Sequence, residues 1–229
     1  MDFDGRHVVV TGGAGALGEA VVAALLDAGA HCHLPVRRPG AEGSAVSHAR
    51  ARVTPGIDLT DEAAVNAFYR GVPDLWASIH LAGGFDHGPI AQLDGSRLRK
   101  QLETNVVTTY LCCRAAIAAM AGRAGRIVNV AARPGLEWRG GANMVAYAAA
   151  KAAVAALTVA LAEETAKQHI LVNAVAPSVI DTPANRTAMP KADHGRWPKP
   201  AAIAATILHL ASPQNSVTRG SVVTVYGEA

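Results

Sequence analysis

The chain has 229 residues, a formal charge of +3, and half of its side chains are hydrophobic while only 4% are aromatic. This is room for one α/β domain with a core of Ala, Val, Leu and Ile, and too little for a second, substrate-binding domain. The charge is thinly spread, with no basic stripe interleaved with aromatics, which argues against a nucleic-acid binder.

The opening Met1-Asp2-Phe3-Asp4-Gly5 is acidic and runs into a short apolar segment, unlike a secretion signal. No stretch is expected to cross a membrane. Residues 6–11 read as a strand through Val8-Val9-Val10, ending in glycines, and 17–28 carry helical apolar spacing stopped by Gly29. A second strand follows over 31–36. Residues 39–55 read as a loop with room for one short helix. Residues 61–69 read as a helix capped by Thr60, and 77–81 as a short strand running into Ala82-Gly83-Gly84.

A long amphipathic helix is expected over 96–120, a strand over 126–131, and an Ala-rich helix over 143–167. A strand over 171–175, a helix over 201–210 and a strand over 221–226 complete the chain. Alternating strands and helices predict a single Rossmann-type domain, a doubly wound parallel sheet with helices on both faces.

The turn between the first strand and first helix is Thr11-Gly12-Gly13-Ala14-Gly15-Ala16-Leu17-Gly18. Gly12, Gly13, Gly15 and Gly18 give the tight turn and the close backbone approach that a pyrophosphate needs, and Ala16 and Leu17 open the helix whose dipole faces it. Dinucleotide choice falls to the end of the second strand, Val36-Arg37-Arg38. No carboxylate stands there to repel a 2′-phosphate, and Arg37 and Arg38 can pair with one, which predicts NADP(H) over NAD(H).

Tyr147 and Lys151 lie one helical turn apart on one face. An ammonium about 4 Å from a phenol favours the phenolate by up to roughly 4 kcal/mol, so Lys151 is expected to lower the pKa of Tyr147 and make it a proton carrier.

Taken in order, these motifs resemble the short-chain dehydrogenase/reductase family over nearly the whole chain. The glycine loop, Asp58-Leu59 after a third strand, Ala82-Gly83 after the fourth, Asn105 in the long helix, Tyr147-x-x-x-Lys151 and Pro177 to Thr182 all occur in register. The resemblance implies a sheet of about seven strands, Asp58 and Leu59 at adenine, and Ala82, Gly83 and Gly84 along the cofactor cleft. It further implies Pro177, Val179 and Thr182 at the nicotinamide carboxamide, Lys151 on the ribose, Asn105 supporting a proton relay and Tyr147 moving the proton. A homodimer or homotetramer built on the two long helices is implied as well.

The family's usual serine after the fifth strand is replaced by Ala132. Losing such a donor typically costs on the order of a hundred- to a thousand-fold in rate, which points away from ordinary ketones. The tail Asp181-Thr182-Pro183, Asn185-Arg186, Met189-Pro190, Ala192-Asp193 and Trp197, with the Ala82-Gly83-Gly84 loop, resembles the dihydropteridine reductase branch. That implies a small conjugated C=N or C=O substrate such as a quinonoid dihydropterin, met by Ala132, Trp138 and Arg186. The second strand departs from the branch members that use NADH, which carry an acid where this chain has Val36 and Arg37. The same tail also reads as a lid packing Met189 and Trp197 over the cofactor. General ketone reduction or alcohol oxidation, and a catalytically silent NADP(H)-binding protein, are the rival readings.

Cys32, Cys112 and Cys113 lack metal-ligand spacing and the adjacent pair suits no normal disulfide, so reduced thiols in a cytoplasm are expected. His31 and His33 share a strand face without a third ligand, and His80 is expected to be a satisfied strand histidine, so no metal is expected.

Overall fold

The computed structural model describes residues 1–38 and 48–229. Seven parallel strands form one sheet: β1 His7–Thr11, β2 His31–Val36, β3 Ala51–Pro55, β4 Leu75–His80, β5 Gly125–Val130, β6 Ile170–Pro177 and β7 Val222–Val225. Their order is β3-β2-β1-β4-β5-β6-β7, so the direction of winding reverses between β1 and β4. The carboxyl ends of those two strands therefore open the crevice where α/β sheets bind ligands.

Helices cover both faces: α1 Ala16–Asp27, α2 Glu62–Arg70, α3 Gly95–Gln101, α4 Thr108–Ala119, α5 Arg133–Leu136, α6 Val145–Glu164, α7 Pro183–Ala188 and α8 Pro200–Ala211. One core layer joins Val8, Val10, Cys32, Leu34, Ile79 and Val128 to Val21, Val22 and Leu25 of α1 and Ile203 and Ile207 of α8. The other joins Val9, Ile127 and Val172 to Val65, Phe68 and Tyr69 of α2 and Leu111, Cys112 and Ala116 of α4. Small side chains let helices lie close to the sheet, as the aromatic-poor composition anticipates.

Four local expectations are corrected. The stretch expected as a loop contains β3, which pairs Ala51–Pro55 with Cys32–Val36; its residues 39–47 lie outside the described residues. As a half-exposed edge strand, β3 lacks the apolar alternation that would announce it. Asp61, not Thr60, caps α2, its carboxylate accepting from the backbone N–H of Ala63 and Ala64. The helix expected over 96–120 is interrupted by a π-helical turn, Leu102–Val107, between α3 and α4. Finally, α6 has 20 residues and is apolar enough to cross a membrane by length and composition, contrary to expectation. Its buried side chains, Ala148, Ala150, Lys151, Val154, Ala155, Thr158 and Ala162, are those of a core helix laid on the sheet.

The centre of the sheet holds a bonded polar chain. Tyr69 Oη lies 2.8 Å from Ser78 Oγ, Ser78 Oγ lies 2.8 Å from His80 Nε2, His80 Nδ1 lies 2.8 Å from Asn129 Oδ1, and Asn129 Nδ2 donates to Thr158 Oγ1 at 3.0 Å. His80 is thus partnered on both ring nitrogens.

Candidate active site

The glycine turn sits at the reversal point between β1 and β4. Gly12 has φ +67°, and a Cβ there would lie 2.7 Å from the backbone N of Ala82. A Cβ on Gly18 would lie 2.1 Å from the Gly12 carbonyl oxygen, so only glycine lets α1 start this close to the turn. Thr11 ties the two strand ends together, its Oγ1 accepting from the Ala82 N–H at 3.2 Å. No side chain caps the first turn of α1 at Gly15, which leaves its N–H groups and dipole for an anion. This cradle fits a dinucleotide pyrophosphate.

At the end of β2, Arg37 Nε stands 3.6 Å from Asp58 Oδ2, both side chains exposed. The Asp58 carboxyl is held below its ordinary value chiefly by the backbone N–H and hydroxyl of Thr60, with Arg37 a smaller contributor. The fold thus brings Arg37, expected at the 2′-phosphate, beside Asp58, expected at the adenine.

Across the crevice, the π-helical turn presents Asn105 inward, 1% exposed. Its Oδ1 accepts from the Gly84 N–H at 3.2 Å, and its Nδ2 donates to the Gly84 carbonyl at 3.0 Å and to the Gln101 carbonyl at 3.0 Å. A Cβ on Gly83 would lie 2.7 Å from Asn105 Oδ1 and 3.5 Å from Lys151 Nζ, so Gly83, Asn105 and Lys151 meet at one point.

Lys151 Nζ donates to the carbonyl oxygen of Val130 at 2.8 Å and lies 5.9 Å from the centroid of the Tyr147 ring. Burial pushes the ammonium down to about 8 and the partly buried Tyr147 phenol up to about 12. The expectation that Lys151 would lower the pKa of Tyr147 is therefore reversed here. Desolvation outweighs an ammonium turned toward a backbone carbonyl, and the phenol is a protonated donor at neutral pH.

Ala132 is buried at the N-cap of α5 and no side chain caps that helix. Trp138 is 73% exposed and its indole N–H donates to the Gly135 carbonyl. Past β6, Thr182 caps α7 by accepting from the Asn185 N–H at 3.2 Å. Arg186 forks onto Asp181 at 2.6 and 2.9 Å, so its charge is already met within the same segment. The Asp181 N–H donates to the Pro198 carbonyl at 3.0 Å and closes the neck of this flap, inside which His194 lies against the buried Trp197.

Sequence reasoning passed over Phe85. Its ring meets Tyr147 edge-on, centroids 4.9 Å apart. The available signal was an aromatic residue immediately after the glycines that close a strand's carboxyl end. Two hollows of about 420 and 560 Å³ open elsewhere, around Arg126 and His169 and around Arg6 and Trp76, and neither is lined by Tyr147. Among the described residues no group of three or more His, Cys, Asp or Glu side chains is placed to hold a metal. His7 Nδ1 lies 2.9 Å from His33 Nε2, and the His31 ring stacks on His7.

A glycine cradle at the sheet's reversal point, facing a lysine and a tyrosine one helical turn apart, defines a nicotinamide-dinucleotide oxidoreductase of Rossmann type. The chain belongs to the short-chain dehydrogenase family, whose model matches residues 6–193. It is 31% identical to the (2S)-[(R)-hydroxy(phenyl)methyl]succinyl-CoA dehydrogenase subunit BbsD of Thauera aromatica, across 99% of this chain and 97% of that protein. Identity is 32% to galactitol 2-dehydrogenase of Rhizobium johnstonii, across 97% of this chain and 94% of that protein. Among solved structures, ElxO with NADP bound superposes with a TM-score of 0.88 at 25% identity, covering 97% of each chain. A short-chain dehydrogenase/reductase from Mycobacterium ulcerans gives 0.88 at 26% identity, covering 100% of this chain and 90% of that one.

Proposed function

We propose that this protein is an NADPH-dependent reductase acting on a small conjugated C=N or C=O substrate, with Tyr147 as the proton donor. The observation that carries the reading is geometric: Tyr147 and Lys151 stand one turn apart on α6, the ammonium 5.9 Å from the tyrosine ring centroid and close to the point where Gly83 and Asn105 meet. A bound nicotinamide supplies hydride. As the substrate carbon gains hydride, the Tyr147 hydroxyl gives its proton to the oxygen or nitrogen. Lys151 holds the ribose, and Asn105 anchors the relay that returns a proton to the phenol.

Gly12, Gly13, Gly15, Ala16, Leu17 and Gly18 hold the pyrophosphate, and Asp58 and Leu59 the adenine. Ala82, Gly83 and Gly84 line the cleft, and Pro177, Val179 and Thr182 meet the carboxamide. NADP(H) preference rests on Arg37 and Arg38 at the end of a strand that ends in no carboxylate. It is supported by the NADP bound in the ElxO neighbour.

The alanine at 132 favours an acceptor electron-poor enough to need no separate oxyanion donor, of which a quinonoid dihydropterin is one example. Trp138 and Arg186 belong to the substrate side of this reading. Ordinary ketone reduction or alcohol oxidation is the second reading, favoured by the alcohol and polyol dehydrogenases among the relatives. A silent NADP(H)-binding protein is supported by Ala132 and opposed by the intact Tyr147, Lys151 and Asn105. Exposed Leu98, Val107, Tyr110 and Val159 on the outer faces of the long helices support a homodimer or homotetramer. Three free, buried thiols support a cytoplasmic setting.

The test is NADPH oxidation against quinonoid dihydropterin, quinones, imines and ketones, beside Tyr147→Phe. The variant should bind NADPH as before and lose at least about a hundredfold in kcat on the identified substrate. Full turnover without the phenol hydroxyl refutes the assignment.

A further inference from the structure

The loop that follows β4 carries Phe85, 61% exposed, directly beside the candidate proton donor. A large apolar ring left this open on a soft loop is unremarkable, but this loop is fixed at three points. Both polar groups of the Gly84 peptide unit's residue are held by the Asn105 amide. The Asp86 carboxylate is forked by Arg97. The Gly88 N–H donates at 2.6 Å to the carbonyl of Asn143, just before the helix that carries Tyr147. The ring is held in the open rather than left there by slack.

Its surroundings fix its orientation. The Phe85 ring stands at 83° to that of Tyr147, and the His87 imidazole lies nearly parallel to it, at 14° and 5.6 Å between centroids. A flat substrate whose reducible C=N or C=O reaches the Tyr147 hydroxyl can extend its ring system over Phe85, whereas a flexible polyol or small aliphatic ketone gains little from such a surface.

We propose that Phe85, seated beside His87, is the specificity-determining platform of this site, and that it selects planar, conjugated acceptors over aliphatic ones. The inference rests on the reading of the Tyr147 crevice as a reductase site and names the substrate class that the crevice takes. Phe85 is a positioning residue and carries no proton.

The test is binding to the protein loaded with NADP⁺, which permits no turnover. Isatin serves as the planar conjugated carbonyl and cyclohexanone as the aliphatic one, titrated by calorimetry against wild type, Phe85→Leu and Phe85→Trp. The Leu variant should weaken isatin about fivefold or more, the Trp variant should restore it, and cyclohexanone should change by less than about twofold throughout. Equal effects on both ligands, no effect on isatin, or no isatin binding to the loaded wild type overturns the proposal. NADP⁺ and NAD⁺ affinities are measured first: the absence of both refutes the reductase reading itself, while normal NADP⁺ binding with Phe85-independent isatin binding refutes only the platform. Because Phe85 is exposed, the variants should melt with wild type, and a purely structural effect would move both ligands together.

Discussion

The Lys151 ammonium donates to the carbonyl oxygen of Val130 at 2.8 Å, a bond that joins the middle of α6 to the carboxyl end of β5. It satisfies a buried cation with a backbone oxygen and no carboxylate, and it aims the amine at the crevice floor beneath Gly83. Such a charge is held at the expense of stability.

Burial lowers the Lys151 pKa to about 8. Above pH 8, and up to the ordinary lysine value near 10.4, the unfolded chain binds this proton and the folded chain sheds it, so stability rises with pH across that window. The cost of the buried charge is therefore largest below pH 8. Lys151→Met, which never carries it, should lose about 2 kcal/mol of its stability relative to wild type between pH 7 and 9.5 in urea titrations. A pH-independent difference would mean that the ammonium is not desolvated.

Three histidines with lowered pKa values should weaken the fold in acid by the opposite route to a salt bridge. Burial holds His80 and His33 down at about 4, and His7 is lowered as well. Between the ordinary value near 6.5 and pH 4 the unfolded chain takes up protons that the folded chain refuses. The stability contributed by these neutral rings is complete above pH 6.5 and is lost as pH falls toward 4. His33→Gln should flatten the drop in denaturation midpoint between pH 7 and 5; an unchanged slope would assign the acid limb to other groups.

Ala132→Ser places a hydroxyl at the buried N-cap of α5, where no side chain caps the helix. Plain ketones should gain at least about tenfold in kcat/KM, with NADPH affinity within about twofold of wild type. Steady-state kinetics on cyclohexanone decide it, and no gain would mean that position 132 does not face the reacting oxygen.

Arg37→Glu sets a carboxylate at the end of β2, beside Asp58. NADPH affinity should fall by about tenfold or more, while NADH affinity holds or improves. Fluorescence titration of both dinucleotides checks this, and parallel changes in the two would remove Arg37 from the 2′-phosphate site.

Much of the molecule was legible in sequence because it is local. The alternation of apolar strands and helices, the glycine spacing from Gly12 to Gly18 and the one-turn separation of Tyr147 and Lys151 are properties of short windows, governed by backbone geometry and side-chain period. Other windows are compatible with more than one local structure. The edge strand Ala51–Pro55 has no buried alternation to betray it, Thr60 and Asp61 are both residue types that can cap a helix, and the π-helical turn around Asn105 is built from residue types that also suit an α-helix.

Only the tertiary structure decided what meets across the crevice. Setting β1 beside β4 brings Gly12 against Ala82, and packing α6 on the sheet turns Lys151 to Val130 and leaves Tyr147 edge-on to Phe85. It also reversed the expected sign of the tyrosine's pKa shift. Desolvation depends on every element packed around a group, and contacts between residues distant in the chain are set by the sheet order. Neither is written in any one stretch of sequence.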